Sequence, residues 1–118
     1  MNSIKLFVLL FLFFVSTAFT FFHHGWANYD QEKRLDYTGV IQQATYENPH
    51  ATAKVNFKDK TWTVVLAPTS RMQERGVTAA MLQKGTTIRV IGYPHREVKD
   101  EMRAETIFIQ GKEYQMRR

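Results

Sequence analysis

Four histidines, His23, His24, His50 and His95, are the residues of this sequence best equipped for chemistry. Neutral imidazole is a borderline-soft ligand that suits copper, zinc or nickel. His50 closes an Asn48-Pro49-His50 turn and His95 follows Tyr93-Pro94, so both belong to loops. His23 and His24 are adjacent, and no pair has the H-E-x-x-H spacing of a metal-binding helix or sits in a calcium-loop pattern. A chain cut after Thr20 would add a second possibility. Its new amine, two backbone amides and the third-position imidazole of His23 would make a square-planar set for Cu(II) or Ni(II). The metal expectation therefore rests on His23, His24, His50 and His95, with copper as the ion. The plain alternative is a solvated histidine pair and a His50 that only caps its turn.

The remaining chemistry is thinner. With no cysteine, the chain has no disulfide framework, no thiolate metal site and no thiol nucleophile. Arg71, Arg75, Arg89, Arg96 and Arg103 could form an anion-binding surface, but Glu74, Glu97, Asp100, Glu101 and Glu105 are interleaved with them, which reads as a mixed solvated surface. Arg103 and Glu105 fall on one face of a strand and are expected to pair across the sheet. Glu47 beside Asn48 and His50 is the nearest approach to an acid–base pair, and no nucleophile–base–orienter set can be assembled, so no enzyme activity is expected. Trp26 lies outside any periodic run, as an exposed contact or a clasp. Trp62 alternates with Val64 and Leu66 and reads as core. Aromatics and a net charge of +5 would suit nucleic acid, but export would remove that partner.

Export is read from the N-terminus. Lys5 precedes ten unbroken apolar residues, Leu6–Val15, and the small residues Ser16, Thr17 and Ala18 follow. This is the pattern of a signal peptide over residues 1–20, with cleavage after Ala18 or Thr20 and a periplasmic mature protein. The rival is an uncleaved anchor, because the apolar stretch reaches the short limit for a bilayer span.

Residues 21–34 have no period and read as an irregular lead-in. From Leu35 to Arg118 the pattern is that of strands. Tyr37–Tyr46 is rich in β-branched and aromatic residues and ends at Asn48-Pro49. Ala51, Ala53, Val55 and Phe57 alternate with polar residues, as do Trp62, Val64 and Leu66 across a tight Asp59-Lys60 connection. A helical insert follows Pro68, with a capping-box spacing at Ser70 and Gln73, an end at Gly76, and a second short turn from Thr78 to Gly85. Ile88, Val90 and Gly92, then Met102, Ala104, Thr106 and Phe108, alternate again before a short terminal strand near Tyr114. Three strands, a helical insert and two strands is the order of the five-stranded OB-fold barrel. Ala53, Val55, Phe57, Trp62, Val64, Leu66, Ile88, Val90, Ala104 and Phe108 are expected inward. His50 and His95 then fall in the two loops that flank the ligand face of that fold.

His23-His24-Gly25-Trp26, Asn48-Pro49-His50, Trp62–Pro68, Arg71-Met72, Arg75-Gly76, Gly92-Tyr93-Pro94 and Glu101–Glu105 stand in that order. Together they resemble a family of small exported proteins of Gram-negative bacteria whose function is unknown. The resemblance runs from His23 to about Lys112. It implies a periplasmic, one-domain protein and no particular activity. Two functional expectations follow: a periplasmic module binding a metal ion or small ligand at the His50/His95 end, or an envelope-interaction protein using Trp26 and the arginines.

Overall fold

The computed structural model describes residues 25–118; the signal-peptide reading and His23-His24 lie outside the described residues. Six strands form one sheet: β1 Leu35–Thr45, β2 Thr52–Phe57, β3 Lys60–Val65, β4 Thr87–Pro94, β5 Glu101–Ile109 and β6 Lys112–Gln115. The order is β3-β2-β1-β4-β5-β6, and a parallel β3–β5 pairing (Thr63 to Glu101, Val64 to Met102, Val65 to Arg103) closes the first five into a barrel. The protein is therefore a five-stranded OB-type barrel, with β6 as a hairpin extension of β5.

Local chemistry explains each turn of the path. The β2–β3 hairpin closes through Lys58 and Asp59, both at positive φ, with Phe57 opposite Lys60. Between β3 and β4 lie α1 (Thr69–Glu74) and a 3₁₀ turn (Ala79–Leu82). Helix α1 starts from Pro68, so Ser70 sits inside it and caps nothing; proline's fixed φ begins the turn instead. Thr78 does open the second turn: its N–H donates to Met81 Sδ at 3.4 Å, and its carbonyl accepts from the Met81 N–H at 3.1 Å. The hydroxyl of Tyr46 donates to the Val77 carbonyl at 2.7 Å and ties β1's extension to this insert. Two glycines permit closure. A Cβ on Gly39 would strike the carbonyl oxygen of Asn56, and one on Gly92 the carbonyl oxygen of Arg103.

Eight of the ten residues expected inward (Ala53, Val55, Phe57, Val64, Leu66, Ile88, Val90 and Ala104) are buried, alongside Ile41, Met72, Val77, Leu82 and Met102. Trp62 is half-buried and packs against that core, tilted against Tyr37 at 5.8 Å with Lys60 over its ring. Phe108 faces outward under Arg89, and Ile107 and Ile109 take its place in the core. The reason is a bulge: Ile91 pairs with Thr106 but Gly92 pairs with Ala104, so Glu105 is an extra residue and the rest of β5 changes face. A second bulge at Gln42 shifts β1 in the same way.

Candidate ligand-binding cleft

Residues 25–34 lie along the barrel's open end. Trp26–Asn28 forms a 3₁₀ turn, Tyr29 bridges to His95, and the Asp30 N–H donates to the Pro94 carbonyl at 2.8 Å. Arg96 secures the turn from the other side, its backbone N–H on the Asn28 carbonyl at 2.8 Å and its Nε on the Ala27 carbonyl at 3.1 Å. The lead-in, the β1–β2 loop and the β4–β5 loop thus converge. Between them lies a cleft of about 350 Å³, walled by Tyr29, Pro49, His50, His95, Glu101 and Arg103 among others. Asn48-Pro49, a cis peptide, leads into His50.

Arg103 stands at the centre of this arrangement. Strand alternation puts Met102 and Ala104 in the core and Arg103 on the outer face, yet the lead-in covers it and leaves it only 8% exposed. Its guanidinium packs 4.5 Å over the Trp26 ring. One Nη lies 3.4 Å from His50 Nε2, and its Nε is buried with no hydrogen-bond partner. Among the described residues it makes no ion pair with a carboxylate. Glu105 does pair across the sheet, accepting from Tyr93 of β4 at 2.6 Å and also from Arg117 at 3.3 Å, whereas Arg103 does not. Burial lowers the Arg103 pKa; Tyr29 opposes this, and Arg71 and Arg117 add to it.

The histidines of the cleft are engaged differently. His95 Nδ1 accepts from the N–H groups of Glu97 at 3.1 Å and Val98 at 3.0 Å, which leaves the proton on Nε2, 4.0 Å from Glu101 Oε2. Glu101 Oε2 also accepts the Tyr29 hydroxyl at 2.7 Å; burial and this carboxylate push the phenol's pKa well up, so Tyr29 stays a donor. His50 is half-buried, and desolvation, then Arg103 and Arg71, hold its pKa below the usual histidine value. It is a neutral ring that accepts from Arg103 at Nε2 and carries its proton on Nδ1. The structure brings His50 and His95 into one cleft; His23 and His24 lie outside the described residues. Among the described residues no group of three or more His, Asp or Glu is gathered as a metal site.

Trp26 is a clasp. Arg103 and Arg117 pack against its ring, at 4.5 and 4.2 Å, and Tyr29 and Tyr93 meet it edge-on at 6.4 and 6.2 Å. Tyr29, Glu101 and Arg103 were not singled out together by the sequence. The only signal was Arg103 set between the inward residues Met102 and Ala104, and alternation reads such a position as solvent-facing.

An OB-type barrel with a cleft between its two ligand-face loops is the class that fold and site define. Within that class, residues 12–103 match the family of unknown function DUF6152, and the chain belongs to that family. No curated protein matches. Among solved structures, the chain is similar to the ZRD-deleted mutant of TiaS, determined in complex with agmatine, at a TM-score of 0.54 and 20% identity. The likeness covers 74% of this chain and 27% of that one, so this chain spans about a quarter of that protein's length; the likeness shows the barrel alone.

Proposed function

We propose that this protein is an exported, single-domain binding module that holds a small ligand in the cleft between its lead-in and the β1–β2 and β4–β5 loops. One observation carries the reading: the lead-in builds a wall opposite those loops, burying its own Tyr29 against them and Arg103 beneath it. A segment that only linked an export signal to a barrel would have no need of such a wall. Clefts of a few hundred cubic ångströms with a few convergent polar groups are the usual form of small-molecule sites. Export and a periplasmic location are supported by the apolar run Leu6–Val15 and the small residues behind it. No helix among the described residues is long and apolar enough to cross a membrane.

The metal form of the reading has His50 and His95 sharing the cleft in its favour and the uncompensated charge of Arg103 against it, because a cation repels a metal ion. The test is a ¹⁵N-HSQC titration of the mature protein, isolated from periplasm, with a mixture of small metabolites and separately with Cu(II). Shifts clustered on Thr52, Val65, His95 and Arg103 are expected with the metabolites. Cu(II) affinities that are equal in wild type, His50→Ala and a His23/His24 double alanine variant would mark metal binding as adventitious. If neither titration touches the cleft, the envelope-interaction reading takes its place.

A further inference from the structure

Arg103 has a cost that the fold does not recover. A guanidinium taken out of water is stable when a carboxylate or a full set of acceptors replaces its hydration. Here the compensation is one aromatic face, one long contact to a neutral imidazole, and an Nε with no partner. Arg71 and Arg117 add positive potential. The other ionised group on the cleft wall, Glu101, already accepts the Tyr29 hydroxyl. Arg103 and Glu101 stand two residues apart on the same side of β5, so a multiply charged anion drawn to one would be repelled by the other.

We propose, resting on the binding-module reading above, that the ligand is a small organic monocarboxylate, its carboxylate held by the Arg103 guanidinium and its organic part lodged in the cleft. A planar carboxylate matches the fork of a guanidinium, and a single negative charge neutralises it. His50 lines the same cleft and places a neutral imidazole beside the guanidinium. The cleft volume of about 350 Å³ admits a small organic molecule, not a polymer.

The experiment compares propionate with its neutral isostere propionamide, with propylamine and with inorganic phosphate. Binding is followed through the Arg103 side-chain Nε–H resonance and the cleft amides. Propionate is expected to shift both, with the amide and the amine weaker by at least about tenfold. Arg103→Met should lower propionate affinity by about tenfold or more, and Arg103→Lys should retain part of it. Arg89→Met, on the outer surface, should leave it unchanged. Arg103→Met and Arg103→Lys together keep the test valid if one variant loses its fold. Equal binding of propionate and propionamide, or preference for phosphate or propylamine, overturns the monocarboxylate and leaves the binding module standing. A cleft that responds to none of the four, yet shifts with the metabolite mixture, overturns the monocarboxylate in the same way; silence to both removes the module as well.

Discussion

A buried arginine beside a neutral histidine makes two statements about stability that can be measured. Arg103 gains one cation–π contact and gives up its hydration, so replacing it with methionine removes a desolvated charge and keeps most of the packing. Arg103→Met is therefore expected to melt at or above the wild-type temperature. A loss of more than about 5 °C would mean that the stack on Trp26 outweighs the burial cost. His50 supplies the pH dependence. Its folded pKa is depressed, so the unfolded chain binds more protons just below the ordinary histidine value of 6.5, and stability rises with pH there. The contribution is complete above that value and is lost as pH falls from it toward the folded pKa. Thermal melts from pH 7.5 down to 5 should show wild type losing more stability than His50→Gln; parallel curves would remove His50 from the account. The histidines were legible in the sequence because imidazole is rare and the loops were marked by proline. Arg103 was not, because its burial depends on a lead-in that has no period of its own.

At the scale of elements, alternation identified strands, insert and barrel order, and it failed where a bulge intervened. A period-two pattern cannot register one extra residue, so it places everything in β5 beyond Glu105 on the opposite face. The corrected register makes a direct prediction. Ile107→Ala should cost about 2–5 kcal/mol and Phe108→Ala distinctly less, because Ile107 is fully buried and Phe108 is partly open. Urea denaturation of the two variants decides it, and the reverse order would restore the unbulged strand. Val64→Ala belongs with Ile107, at about 2 kcal/mol or more. Gly92→Ala tests closure: its methyl meets the carbonyl of Arg103 on β5, and a loss of about 2 kcal/mol or more is expected from the strand displacement alone.

The whole molecule divides its labour unequally between barrel and lead-in. Tyr29 is buried, but it is not part of the main apolar cluster, which is built entirely from residue 35 onward. A chain beginning at Leu35 should therefore keep its β spectrum and a cooperative melt, while Arg103 becomes solvated and the cleft loses its ligand. Circular dichroism with the propionate titration would show both; loss of cooperative melting would mean that the lead-in is part of the folding unit. The export reading is checked at the same scale by intact mass. The mature protein in periplasmic extract should begin between Phe19 and Phe21, and a full-length mass confined to the membrane fraction would support an anchor instead.

The contact between Trp26 and Arg117 brings the first and last described segments of the chain together. Arg71 and Arg75 hold the latter in place, donating to the carbonyls of Met116, Gln115 and Arg117. Residues 25–118 thus run almost in a circle. A short linker could join the residues that flank this contact, and new ends could be opened at the Lys58-Asp59 turn, at the far end of the hairpin from the cleft. Such a permuted chain would keep every strand pairing except the tip of one hairpin. It would also set the new ends away from the cleft, so that the chain could be fused or immobilised without obstruction at its mouth.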